Sequence, residues 1–234
     1  MRPYVVVNAA MSADGKLSTR ERRQVKISGA QDFIRVDRLK AGSDAVMVGI
    51  GTVLADDPSL TVKAKECRDQ RRKRGKEDHP IRVVVDSTAR IPLGSSILTK
   101  GDGKRVVAVS RRADPRKIAA LKTVATVIIA GEHEVDLALL MDKLGGMRVQ
   151  RVMVEGGGTL IAGLFRAGLV NEIYTFIGNM IIGGKDAPTL VDGEGFILDS
   201  EFCRLTLLEA RRIEKGVLLH WNVENSFEKN EKNE

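Results

Sequence analysis

Cysteine, histidine, aromatic residues and long apolar runs are all scarce in this chain, and each scarcity removes a class of protein. Cys67 and Cys203 are the only cysteines among 234 residues, too few and too scattered for a disulfide framework or a metal knuckle. His79, His133 and His220 lack the partner spacing of a zinc site. No G-x-S-x-G turn occurs, neither cysteine has a nearby histidine, and the H-x-E and P-C-x-x-C ligands of a zinc deaminase are missing. No apolar stretch approaches the roughly 18 residues of a membrane span. The opening MRPYVVVNAAMSADG has too short an apolar run for a signal peptide. A soluble, cytoplasmic protein with no metal and no membrane partner is expected.

Aromatic residues make up 4% of the chain, which bears on how its charge is read. Lysine and arginine (38) exceed aspartate and glutamate (31), for a net charge of +7. Much of the excess lies in KAKECRDQRRKRGKEDH, Lys63 to His79, where eight basic residues face four acidic ones. No aromatic interleaves with that run, so the stacking platforms of a single-strand nucleic-acid binder are missing. A solvated, loop-like basic insertion is expected there, with nucleic-acid binding the weaker alternative.

The chain is 43% hydrophobic and 29% charged, arranged as short β-branched runs alternating with amphipathic helices. Strands are predicted at Tyr4–Ala9, Ala45–Val48, Ile81–Val85, Arg105–Val109, Thr126–Ile129 and Arg151–Val154. Each is apolar at consecutive positions, as a strand buried on both faces requires. Ser28 is predicted to cap a helix over about Gly29 to Lys40, with Phe33, Val36 and Leu39 facing the core. Asp114 before Pro115 starts a second helix, with Ile118 and Leu121 inward. Asp136 caps a third on Leu139, Leu140 and Leu144, and Thr159 to Ala167 makes a fourth that ends at Gly168. Further on, NEIYTFIGNMIIG and CRLTLLEARRIEKGVLLHWNVE read as strands, the latter an antiparallel pair turning at Glu214–Gly216. The reading is one α/β domain over 1–224 and a polar, disordered tail over 225–234.

Chemistry concentrates where strands run into glycines. In VMVEGGGTLIAGLF a buried strand meets Gly156, Gly157, Gly158 and Thr159 at a helix start, where free N–H groups and the helix dipole favour a phosphate. The G-x-G-x-x-G fingerprint fails at Ile161, and no Lys-Ser/Thr pair makes a nucleotide-hydrolase loop. VMVGIGTVLADDPSL repeats the pattern with Gly49, Gly51 and Thr52, closing on Asp56-Asp57-Pro58. After the first strand, the Asp14-Gly15 turn projects Lys16 near the carboxyl edge of the sheet, where open α/β sheets bind ligands. Glu155 is the carboxylate expected in that cleft, and a Lys16–Glu155 pair would suit proton transfer. VVVDST and VVAVSRR place Asp86, Ser87 and Thr88, and Ser110, Arg111 and Arg112, at further strand ends, the arginines suited to a 2′-phosphate.

Five segments, MSADGKL, VGIGTVLADDPSLTV, IRVVVDS, VEGGGTLIAGL and IGGKDAPT, occur in an order and spacing that resemble the riboflavin-biosynthesis reductases over about Tyr4 to Val223. The resemblance implies a dihydrofolate-reductase-like fold: a central, mixed, mostly parallel sheet flanked by helices, with an antiparallel C-terminal hairpin. It also implies a homodimer and NADPH as hydride donor, NADH being the weaker one. By motif it assigns Thr52, Asp56, Ser87, Gly131, Gly157, Gly158, Thr159 and Leu160 to the cofactor. Asn8, Lys40, Leu60, Lys63 and Glu155 fall to the substrate, and Lys16 and Glu155 to catalysis. Lys63 departs from the arginine of deaminase-fused relatives, which alters the grip expected on a phosphate. The implied reaction reduces the ribosylamino group of a phosphorylated pyrimidinone to ribitylamino, by hydride transfer to C1′ of the ring-opened imine. The missing deaminase ligands favour a substrate not yet deaminated. The deaminated compound, or another imine or carbonyl on the same fold, is the alternative.

Overall fold

Valine and isoleucine runs form strands because branched side chains fill a pleated, two-sided surface better than a helix. The computed structural model describes residues 1–23 and 25–224 and gathers these runs into one nine-stranded sheet. The first half of the chain forms β1 (Tyr4–Met11), α1 (Ala30–Gly42), β2 (Ala45–Gly49), α2 (Ile50–Asp56), α3 (Lys65–Lys73), β3 (Ile81–Val85), α4 (Ser96–Thr99) and β4 (Arg105–Val109). The second half forms α5 (Pro115–Leu121), β5 (Thr126–Ile129), α6 (Leu137–Gly146), β6 (Arg151–Gly156), α7 (Gly158–Arg166), β7 (Glu172–Ile177), β8 (Arg204–Ile213) and β9 (Gly216–Glu224). The tail expected over 225–234 lies outside the described residues.

Across the sheet the order is β5-β4-β3-β2-β6-β1-β7-β9-β8, parallel from β5 through β7 and antiparallel at β9 and β8. The chain leaves β1, passes over a vacant slot to lay down β2, builds outward to β5, and returns with β6 to fill that slot. The turn after β6 is thereby planted in the middle of the carboxyl edge, where the winding reverses. Val5, Val7, Met47, Val83, Val152 and Val154 pack on one face against Leu140 and Leu144 of α6 and Ile161 and Leu164 of α7. Val46, Val48, Val84, Val107 and Met153 pack on the other with Ile50, Ile97 and Leu121.

Local signals set several boundaries. Asp114 accepts the N–H of Arg116 (2.8 Å) and Asp136 that of Leu139 (2.9 Å), so both predicted caps form. The hairpin turns at Glu214–Lys215 as expected, whereas the chain after Ile177 leaves the sheet, so NMIIG is not strand. Two helix faces differ from expectation. Ser28 does not cap α1; Gly29 occupies that position without a side-chain bond, and Phe33 is 53% exposed. Val36 and Leu39 pack against the core as expected, and the polar Asp32, Asp37 and Lys40 are buried on the same helix. Leu139, read as core, is also exposed, and Met141 is buried in its place.

The basic stretch is helical over Lys65–Lys73 rather than a loop throughout. α3 buries Cys67 and Arg71, and the Arg71 guanidinium donates to the carbonyls of Ala41 and Ser43 at the end of α1 and to Glu77 (2.7–2.8 Å). A cation on the last carbonyls of a helix satisfies orphan acceptors and the negative end of its dipole together. The neighbouring charges are largely spent in ion pairs: Arg72 with Asp69 and Asp78, and Lys76 with Asp44. Arg71→Met is expected to cost about 2–3 kcal/mol, lowering the thermal midpoint by roughly 5–10 °C. A conservative Arg72→Met should shift it far less, which a paired melting experiment checks.

Candidate active site

The reversal of winding between β2 and β6 opens a crevice at the carboxyl ends of parallel strands, the place where such sheets receive ligands. A cavity of about 1060 Å³ occupies it, walled by the ends of β1, β2, β3 and β6, the starts of α2 and α7, and the first turns of α1. Its floor is built from glycine. Gly157 adopts φ +98° between β6 and α7, and a Cβ there would stand 3.2 Å from the Gly49 nitrogen and 3.3 Å from its Cα. A Cβ on Gly156 would press on the Thr52 hydroxyl, and one on Gly158 would collide with the Asp192 carboxylate. The two strand-to-helix turns therefore touch backbone to backbone. Among the described residues no side chain caps α7, so its first N–H groups remain available to an anion.

Asn8, Thr52, Asp56, Ser87, Glu155, Gly157, Gly158, Thr159 and Leu160, all named from sequence, line this cavity together. Desolvation at the wall pushes the Asp56 carboxyl above its usual value. The Ser87 hydroxyl accepts the N–H of Val135 (3.1 Å), tying the end of β3 to the loop between β5 and α6. Gly131 lies behind the wall. Its φ of +88° and the closeness of Glu134 and Asp136 shape the turn that carries Glu134 and Val135 to the cleft.

Glu155 has a different partner from the one expected. Its Oε1 lies 3.0 Å from Nζ of Lys40 on α1, with both side chains largely buried. Lys16 instead donates to the Ala187 carbonyl (3.3 Å) and does not line the cavity, so the expected Lys16–Glu155 pair is corrected to Lys40–Glu155. The reason is topological: β6 lands beside β1 under α1, while the loop after β1 is drawn toward residues 178–192. Asp14 accepts the N–H groups of Ile182 and Gly183, and Leu17 N–H donates to Pro188. Those bonds and the Ser12 hydroxyl pull the Asp14 carboxyl down to about 2, the hydroxyl having the largest effect. Lys40, Leu60 and Lys63 also lie outside the lining. Leu60 is buried at φ +52°, and Lys63 donates to Ser59 and Thr61 (2.9 and 2.7 Å). Burial, then the charges of Lys40 and Lys100, push the Lys63 ammonium below its usual value despite Asp37. An additional anion would relieve that repulsion.

Two contributors escaped the sequence reading. Asp32 lines the cleft and is ion-paired with Arg35, an i,i+3 spacing visible in DFIR that an apolar-face reading of α1 passes over. Asp192 reaches the start of α7 from the 178–203 segment, a long-range contact with no local signal. Arg112, one of the pair weighed for a 2′-phosphate, lines the cavity, while Arg111 pairs with Glu132 on the surface.

Comparison with known proteins agrees over most of the chain. The model of the family described as RibD C-terminal domain matches residues 3–219. A protein of Archaeoglobus fulgidus named 2,5-diamino-6-ribosylamino-4(3H)-pyrimidinone 5′-phosphate reductase is 51% identical over 92% of this chain and 96% of its own length. One of the same name from Methanothermobacter thermautotrophicus is 43% identical over 95% and 99%. Among solved structures, a pyrimidine reductase-like protein of Corynebacterium diphtheriae superposes with a TM-score of 0.81 at 18% identity, covering 95% of this chain and 92% of that one.

Proposed function

Because the chain belongs to the RibD C-terminal domain family and has its dihydrofolate-reductase-like fold, we propose that it is the NADPH-dependent reductase acting on 2,5-diamino-6-ribosylamino-4(3H)-pyrimidinone 5′-phosphate in riboflavin biosynthesis. The observation that carries the reading is the Gly156–Gly158 turn, open to the same cavity as Glu155, which Lys40 pairs from behind the wall. The turn offers bare backbone at the start of a nine-residue helix, a fit for a pyrophosphate. Thr52, Ser87 and Asp56 stand along the same wall, where hydroxyl and carboxyl groups suit ribose and amide hydrogen bonds, and Arg112 suits a 2′-phosphate.

NADPH, when bound, supplies a hydride for C1′ of the substrate's open imine. Reduction of that C=N bond also takes up one proton on nitrogen, leaving the ribitylamino product. The protein's part is to open the ribose ring, hold C1′ and manage that proton. Glu155, at the cleft wall, is assigned the proton work, and Lys40 keeps its carboxylate compensated in a largely buried pair. Lys16 is assigned to holding the 178–192 segment beside the cleft. Lys63, with Lys40 near it, is assigned to the substrate's phosphate, where a second anion offsets their repulsion. The reading includes a cytoplasmic homodimer. β8 supports the dimer, being an edge strand among the described residues that exposes Leu205, Leu207 and Leu208.

The test is loss of reduced-nicotinamide absorbance with the diaminopyrimidinone phosphate and, in parallel, with its deaminated counterpart. Faster turnover of the diamino compound is expected. Preference for the deaminated compound would move the enzyme one step along the reaction order. No turnover of either, with saturable NADPH binding, would overturn the substrate and keep the cofactor.

A further inference from the structure

Arg35 on α1 holds a residue of the cleft in one orientation. Its Nε donates to Oδ1 of Asp32 and its Nη2 to Oδ1 of Asn8, both at 2.7 Å. The same guanidinium lies 5.6 Å from the ring centroid of Tyr174, which stacks on His220 with centroids 4.0 Å apart. Tyr174 pairs across the sheet with Asn8 on one side and His220 on the other, so one polar row crosses β1, β7 and β9 beneath α1. A carboxylate, an amide oxygen and an aromatic face thus clamp the guanidinium on three sides.

A guanidinium has donors and no acceptor. The Asn8 carboxamide must therefore turn its oxygen toward Arg35 and its amide nitrogen away. Asn8 is 7% exposed and lines the cavity, and among the described residues its amide nitrogen has no hydrogen-bond partner. The direction left to that nitrogen is the cleft. We infer that Arg35 is a positioning residue that fixes Asn8 as a hydrogen-bond donor to the ligand. At that point the site then accepts a carbonyl, ether or hydroxyl oxygen and rejects a group that can only donate. Arg35 is not arranged for stability alone, because among the described residues its Nη1 is buried without an acceptor, a cost folded proteins seldom carry without a use. Lysine could replace the charge but not the fork that holds Asp32 and Asn8 together.

The inference rests on the reductase reading for its kinetic arm only. In thermal melts, Asn8→Asp keeps an acceptor for Arg35 and is expected within about 2 °C of the parent. Asn8→Leu strands a buried donor and should melt roughly 5 °C lower. If the aspartate variant melts as low as the leucine variant, the pairing is overturned whatever the enzyme turns over. In turnover, Asn8→Asp offers no donor to the ligand, so kcat/KM should fall about tenfold, mostly through KM, although the fold is intact. Arg35→Lys should show a similar loss, and Arg35→Lys combined with Asn8→Ala should fall no further than Asn8→Ala alone. Additive losses, or full activity in Arg35→Lys, would overturn the positioning role. A parent enzyme inactive on both pyrimidinones would count against the reductase reading, and the melts would still judge the pairing.

Discussion

Replacing Gly157 with alanine is expected to weaken NADPH binding more than tenfold and to lower the thermal midpoint by roughly 5 °C. Two physical terms act together. At φ +98° an L side chain pays a backbone penalty of about 1–3 kcal/mol, which glycine escapes. The added methyl would also stand 3.2 Å from the Gly49 nitrogen, so the turns after β2 and β6 would have to separate. Those turns form the cavity floor, and α7 begins one residue later. A shift of a few tenths of an ångström there moves the N–H groups proposed to hold the pyrophosphate. Gly146→Ala is the control: an added Cβ at the end of α6 meets nothing within 4 Å, and φ is not positive. That variant should bind NADPH normally and melt no lower than the parent. Calorimetric titration with NADPH beside thermal melts measures both effects. Unchanged affinity in Gly157→Ala would mean that the cofactor's phosphates do not approach this turn.

Lys40→Met should destabilise the protein by about 3 kcal/mol and lower turnover at least tenfold. The Lys40 and Glu155 side chains are 11% and 15% exposed, so removing the ammonium leaves a nearly buried carboxylate without compensation. Breaking such a pair from one side costs far more than the pair itself contributes. At this chain length the loss corresponds to roughly 10 °C in thermal midpoint. The double variant Lys40→Met/Glu155→Gln separates stability from chemistry, because a neutral amide needs no counter-charge. It should recover most of the midpoint and none of the turnover, while Glu155→Gln alone should stay folded and slow. Denaturation curves and steady-state rates on the four proteins decide it. A double variant as active as the parent would remove Glu155 from the proton work.

Legibility followed the range over which each signal acts. The buried strands were readable because continuous valine and isoleucine runs between turn residues leave few other fates. The helix starts at Pro115 and Leu137 were readable because Asp114 and Asp136 cap N–H groups only two or three residues away. α1 was readable only in part. Val36 and Leu39 reach the core, but Phe33 is left in solvent, Lys40 turns to Glu155, and Asp37 accepts the N–H groups of Lys63 and Ala64, contacts that no local pattern reports. α3 was read as a loop because its composition is almost wholly charged. Its anchor is a single arginine reaching carbonyls 28 to 30 residues earlier, which no local pattern reports.

For the site, the residues drawn from glycine-rich strand ends converge, since a strand end followed by bare backbone is a local arrangement that any parallel sheet must place on its carboxyl edge. The sequence by itself determined the alternation of strands and helices, the glycine floor and the carboxylate at position 155. Which ammonium meets that carboxylate was decided by tertiary structure alone. β6 enters the gap between β2 and β1 only after β3, β4 and β5 in chain order, and this brings Glu155 under α1 and within reach of Lys40 rather than Lys16. The cost of leaving a buried charge unpaired fixes that choice once the strands are in order, and the order is a property of the whole sheet.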